Sequence, residues 1–164
     1  GLKATAKSDL MKPHFLLGAA ANPFADPVEV RVSRMGKKQR AGAQFIQTQC
    51  IFDLDRIREF MRLAVNAGLT TDLHVLGGIM PVKSARPLEF MRDNVPGMRI
   101  PEAVIQRMKN AQDPEAEGIA IAVETIHALR EMPGISGVHL MTVNWHTAIE
   151  KVLEGAGFTD KGTG

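Results

Sequence analysis

Cysteine is nearly absent from this 164-residue chain: Cys50 stands alone, so no disulfide forms within the chain and thiolate zinc sites are excluded. No apolar run approaches the roughly 20 residues that a membrane-spanning helix requires. The amino-terminal stretch GLKATAKSDLMKP carries lysines with no apolar segment behind them, so a signal peptide is not expected and a cytoplasmic setting is. Charge of one sign is lacking too. The formal net charge is +2, with basic residues dispersed among acids, which gives no footprint for nucleic acid. There is no carboxylate pair, no Ser-His-Asp arrangement and no metal-ligand spacing. What remains, 45% hydrophobic and 23% charged residues, is the composition of an ordinary globular chain.

Four short apolar runs recur, each followed by turn residues and a helical pattern: His14–Ala21, Phe45–Phe52, Leu73–Pro81 and Gly137–Asn144. Their continuity suits strands buried on both faces of a parallel sheet. Between them the helices have recognisable ends. Asp26-Pro27 offers a cap and a first-turn proline for a helix with Val28, Val32 and Met35 inward, stopped by Gly42. Leu54, Ile57, Met61 and Ala64 mark the second helix, ending at Gly68. Ser84 caps a third, to about Asn94, and Pro101 opens a fourth with Val104, Ile105 and Met108. Asp113-Pro114 starts a longer one bearing Ile119, Val123, Ile126 and Leu129. A last helix follows Trp145, using Ala148, Ile149, Val152 and Leu153, and residues 159–164 are expected to fray. The chain is one domain, and the order β-α-β-α-β-α-α-α-β-α predicts parallel βαβ crossovers. Periodicity alone leaves a small open sheet and half of a closed barrel equally open.

In parallel α/β sheets function collects at the carboxyl ends of the strands. The polar groups expected there are Asn22, then Thr48 and Gln49, then Gly77-Gly78 with Pro81, then Thr142 and Asn144. Amides, hydroxyls and bare backbone suit a planar polar heterocycle, with a cofactor doing the chemistry. Gln47 and Gln49 share one face of their strand. The amide of Gln49 either bonds within the fold or meets a ligand. Lys38 belongs either to a solvated face with Arg34, Lys37 and Arg40 or to a site. Gly77-Gly78 allows either close approach of a ligand or a tight bend. His74 and His139, inside apolar runs, are read as structural.

Taken in order, GAAANPFADP, AGAQFIQTQCIFD, GGIMPVKSAR, VPGMRIPEAVIQRM and GVHLMTVNW resemble the methylenetetrahydrofolate reductase family, from about Phe15 to Phe158. The resemblance implies an α/β fold in which this chain supplies strands five to eight of a (β/α)8 TIM barrel. It implies a flavin, FAD or FMN, on the carboxyl-end face, with NADH or NADPH as electron donor. The implied reaction is reduction of 5,10-methylenetetrahydrofolate to 5-methyltetrahydrofolate.

Residue by residue, Gln49 matches the glutamine that faces pterin and nicotinamide, and Phe90 the aromatic that packs on folate. Lys38 matches a lysine on the flavin's phosphate side, and Asn22 falls where other members carry a histidine near the flavin. Trp145 replaces an arginine, so the folate tail is expected to be held differently. The family's catalytic glutamate and its flavin-side aspartate lie on strands outside this chain, so no catalytic residue is expected in this half. The implied partners are the amino-terminal half of the barrel and further copies or a partner subunit. A non-catalytic, partner-binding half-barrel is the competing expectation, and an unrelated α/β small-molecule binder is a third.

Overall fold

A computed structural model describes residues 15–158. The expected fraying of residues 159–164, and His14 at the start of the first run, lie outside the described residues. Within them the apolar runs become four parallel strands: β1 (Gly18–Ala21), β2 (Phe45–Cys50), β3 (His74–Ile79) and β4 (Ile135–Leu140). The sheet order is β1-β2-β3-β4, in sequence and without reversal. The helices are α1 (Val28–Arg40), α2 (Leu54–Asn66), α3 (Ala85–Asn94), α4 (Glu102–Asn110), α5 (Pro114–Arg130) and α6 (Thr147–Gly155). No helix among the described residues is long and apolar enough to cross a membrane.

Helix ends follow local chemistry, with two departures. Asp113 caps α5 by accepting from the Ala116 amide at 3.0 Å, with Pro114 in the first turn, as the sequence leads one to expect. Asp26 does not cap α1. Pro27 occupies the cap position, and the Asp26 carboxylate pairs with Arg56 instead. Ser84 sits at the cap of α3, yet its hydroxyl bonds none of the helix amides. The glycines after α1 and α2, Gly42 and Gly68, adopt φ of +100° and +69°, the left-handed turn that ends a helix.

One core joins the sheet to α1, α2, α5 and α6. Ile46, Val75 and Ile79 from the strands meet Met35, Ile57, Phe60, Met61, Ile126, Leu129 and Val152 from the helices, and all ten are no more than 1% exposed. A second cluster at the carboxyl end of the sheet gathers Phe52, Val82, Leu88, Ile105 and Met108, seating α3 and α4 there. Among the described residues only one face of the sheet is covered. Ile46 and Val75 are fully buried beneath the helices. Leu140 packs against the same core, and Leu16 is 72% exposed before β1 begins. Their alternating neighbours Phe45, Gln47, Leu76 and Gly137 take the open face. The strands are therefore not buried on both sides.

β4 starts and ends earlier than its apolar run suggested. Pairing with β3 runs from Ile135 to Leu140 because β3 itself stops at Ile79. The Met141 amide makes one further bond to the Ile79 carbonyl, at 2.9 Å, and Asn144 at φ 53° turns the chain away. Thr142 and Asn144 thus belong to a loop.

Candidate functional site

β2 is irregular where it matters. Gln47 pairs with Leu76 but Cys50 pairs with Gly78, so three steps on β2 match two on β3. This is a β-bulge at Thr48-Gln49, a device that re-aims side chains. The Thr48 hydroxyl stabilises it, donating to the Gln49 carbonyl and accepting from the Gly78 amide, each at 2.9 Å. Gly78 has to be glycine here, since a Cβ would lie 2.7 Å from the Thr48 carbonyl oxygen. Gly77 serves a different purpose: a Cβ there would meet the Leu129 side chain of α5 at 2.6 Å. The glycine pair therefore admits a neighbouring strand and a helix, which is neither of the two uses expected from sequence.

The bulge leaves Thr48 buried and Gln49 exposed on the open face. Gln49 and Gln47 line a hollow of about 460 Å³ with Gly18, Ala20, Phe45 and Met141. The Phe45 ring lies over Gly18, where any Cβ would collide with it. No side-chain hydrogen bond holds the Gln49 amide among the described residues, so its donors and acceptor are free for a ligand. No carboxylate lines this hollow.

Asn22 and Lys38 come together in a smaller hollow of about 130 Å³, which Arg31 and Arg34 also line. The Asn22 Oδ1 accepts from the Phe24 amide at 2.9 Å, an Asx turn that fixes the side chain, and its Nδ2 packs over Gly97. The Lys38 ammonium donates to the Ala20 carbonyl. Because the Leu17 carbonyl bonds β2, the Ala20 carbonyl, three residues on, points to the free edge of β1. Lys38 thus covers that edge, a common guard against strand pairing. Its ammonium has three donors, so two remain. Three cations with no acid among them suit a phosphate. Lys37 beside it is exposed and does not line this hollow, which separates the two lysines.

Phe90 is 62% exposed and takes no part in the core, which Leu88 supplies from the same helix. It lines a third hollow of about 540 Å³ with Met80, Lys83, Arg86, Val143 and Trp145. Gln49 and Phe90 occupy separate hollows at the carboxyl end of the sheet. His74 is exposed, its Nδ1 3.3 Å from the Ser136 hydroxyl across β3 and β4. His139, one step along β4 from core-packed Val138, is half-buried.

Three features escaped the sequence. Arg56 is 8% exposed and ties the loop after β1 to α2 through Asp26, Glu59 and the Ala25 carbonyl. Its place four residues before Phe60, on the buried stripe, was the available signal. Asp53 caps α2 and also pairs with Arg99 at 2.7 Å, anchoring the segment before α4. Lys83 stands over the Trp145 ring, 5.3 Å from its centroid, a contact between residues 62 positions apart that no local pattern reveals. Among the described residues no cluster of histidine, cysteine or carboxylates could hold a metal ion.

The family model for methylenetetrahydrofolate reductase matches residues 10–157. Methylenetetrahydrofolate reductase 1 of Schizosaccharomyces pombe is 24% identical over 155 residues, which is 90% of this chain and 25% of that protein. The 5,10-methylenetetrahydrofolate reductase of Escherichia coli is 28% identical over 128 residues, 75% of this chain and 42% of the relative. The chain therefore spans between a quarter and a half of these relatives. Among solved structures, an uncharacterized protein from Clostridium thermocellum that binds two copies of 5-methyl-5,6,7,8-tetrahydrofolic acid superposes with a TM-score of 0.64 at 19% identity, over 87% of this chain and 52% of that one. That likeness speaks to the fold.

Proposed function

The chain belongs to the methylenetetrahydrofolate reductase family, and from that premise we propose that it supplies strands five to eight of a (β/α)8 barrel. The completed barrel reduces 5,10-methylenetetrahydrofolate to 5-methyltetrahydrofolate, using FAD or FMN with NADH or NADPH as electron donor, in the cytoplasm. One observation carries the reading: four parallel strands in sequential order, covered on one face, open on the other onto small residues and an unpaired amide. A doubly wound sheet would reverse its strand order and cover both faces.

The residues fit a flavin. A flat ring matches the floor of Gly18, Ala20 and Gln47, and a phosphate matches the cationic hollow of Asn22, Lys38, Arg31 and Arg34. When bound, the flavin supplies hydride relay between nicotinamide and the folate's methylene bridge. Gln49 hydrogen-bonds the polar edge of the pterin and orients it, a contribution of about 1–3 kcal/mol for a buried amide contact. Phe90 packs against the aromatic portion of folate. With no acid lining the open hollow, the proton donor comes from the half of the barrel outside this chain, and so does the remainder of the cofactor site.

The second reading, a non-catalytic half-barrel that binds a partner, draws on the edges. Among the described residues β1 and β4 each pair on one side only, and Phe15 and Leu16 before β1 are 75% and 72% exposed. Expressing the chain alone and with the complementary half separates the two. We expect the chain alone to self-associate and lack reductase activity, and the reconstituted barrel to bind flavin and turn over folate. A monodisperse monomer that reduces folate unaided defeats the half-barrel assignment. Reconstitution without turnover selects the partner-binding reading. In the reconstituted enzyme Lys38→Ala weakens flavin retention and Lys37→Ala does not; equal losses in a flavin dissociation assay mean a generic basic face.

A further inference from the structure

The third hollow, between the turn after β3 and the loop after β4, has a chemistry that Phe90 alone does not explain. Its walls are apolar: Met80, Val82, Met91 and Val143 with the rings of Phe90 and Trp145. Two cations, Lys83 and Arg86, stand on its rim, and no carboxylate lines it. Lys83 is held in place over the Trp145 ring, and its one ion pair, to Glu115 at 3.6 Å, joins two half-exposed side chains and is weak. Arg86 is exposed and makes no ion pair among the described residues. The unengaged hydroxyl of Ser84, at the start of α3, lies on the same rim. An apolar slot with two aromatic walls and a rim of one charge sign complements a flat apolar group with a negative end.

We infer that this hollow binds a flat aromatic group carrying a carboxylate, with the ring against Phe90 and Trp145 and the carboxylate at Lys83 and Arg86. The inference rests on the folate reading above, because the aminobenzoyl-glutamate end of a folate has this chemistry, and it assigns the charged end to two residues outside that reading. Arg86 presents a planar fork that matches a carboxylate in two-pronged fashion, and Lys83 adds a point charge fixed by its aromatic platform. Trp145 carries no charge to balance the anion: it contributes a face, and the charge beside it is that of Lys83.

Trp145 is the only tryptophan and the chain has no tyrosine, so its emission reports on this hollow directly. The full chain is titrated with N-(4-aminobenzoyl)-L-glutamate and, separately, with the uncharged diamide of that compound. Saturable quenching by the acid is expected, with the diamide about tenfold weaker, the loss expected for a charge-assisted hydrogen bond. Arg86→Gln and Lys83→Gln each weaken the acid by about tenfold and leave the diamide unchanged. Lys37→Gln, on α1, alters neither. Equal binding of acid and diamide, an equal loss in Lys37→Gln, or no saturable quenching overturns the inference. A reduced pterin without a tail, titrated against the chain and Gln49→Ala, keeps the two ideas apart. Tail discrimination without pterin binding removes the folate reading and leaves an aromatic carboxylate site. Pterin binding without tail discrimination removes this inference alone.

Discussion

On the helix-covered side of the sheet, Ile46, Val75 and Ile79 are sealed against Phe60, Ile57, Ile126 and Leu129. One residue along each strand, on the other side, stand Gly18, Ala20, Gln47, Gln49 and Gly137. The first set is branched, large and dry. The second is small or amidic, and its amide side chains hold no hydrogen bond among the described residues. Same strands, same register, opposite demands: one face contributes stability, the other keeps space and free hydrogen-bonding groups. Within the open face there is a further gradient along β2, with Phe45 toward its amino end and the glutamines toward its carboxyl end. A barrel interior is filled mainly by bulky branched side chains. The departure from that rule at the carboxyl ends of β1 and β2 is where a ligand is accommodated.

The sharpest way to test this division is to remove volume from the covered face. Phe60 is fully buried in the larger core. Phe60→Ala should destabilise by about 3–5 kcal/mol through lost contacts and a cavity, read as a drop in denaturation midpoint with unchanged slope. A loss under about 1 kcal/mol would mean that the helix layer is not the stabilising one.

The seam between the faces comes next. Cys50, at the end of β2, is 5% exposed with its sulfur 3.5 Å from that of Met141, which lines the open hollow. Burial pushes its thiol up to about 11 from 9.0. The folded state therefore keeps its proton where the unfolded chain loses it. The stabilisation is complete below pH 9 and is lost as pH rises from 9 toward about 11, on the order of 2–3 kcal/mol by linkage. Cys50→Ala should flatten that part of the pH profile. An unchanged profile would place the thiol in contact with water, and the seam would be open.

The bulge itself sits third. In Gly78→Ala the new methyl meets backbone oxygen of Thr48 and Gln49, at 2.7 and 2.9 Å, and neither can swing aside as a side chain would. Overpacking of this kind costs about 1–3 kcal/mol, and relief of the clash has to shift the bulge and re-aim Gln49. The expected signature is a moderate loss of stability together with loss of ligand binding at the open hollow. Stability loss with binding intact would show that the bulge does not set the direction of Gln49.

Much of this architecture was legible in sequence because it is local. The stripe Leu54, Ile57, Met61, Ala64 gave α2, and Asp113-Pro114 gave the start of α5, since caps and helical periodicity act over a few residues. Gln49 stood out because a glutamine among β-formers has to be explained. What stayed hidden depends on partners far along the chain. The bulge needs β3 laid against β2. The buried place of Arg56 needs Asp26 from another loop, and the Lys83–Trp145 stack joins two strand-end loops. The assumption that apolar runs are buried on both faces failed for a related reason. Alanine, glycine and phenylalanine make an open face look as apolar as a covered one, and only the placement of the helices distinguishes them.

The smallest expected effect on stability is the most diagnostic for function. Gln49 is exposed, its side chain holds no hydrogen bond among the described residues, and its neighbours on the open face are small. Gln49→Ala should therefore change folding stability by no more than about 0.5 kcal/mol, as expected for a surface residue free of structural duties. If the amide orients a bound pterin, the same variant in the reconstituted enzyme loses about 1–3 kcal/mol of interaction, seen as a 5- to 150-fold fall in kcat/KM for folate. Gln47→Ala, one pleat nearer the amino end on the same face, is the internal control and should cost less in turnover. Turnover unaffected with a sharply lowered melting temperature would turn the assignment around: Gln49 would then be part of the packing of the closed barrel, and the open face would owe its free amide to a missing structural partner rather than to a ligand.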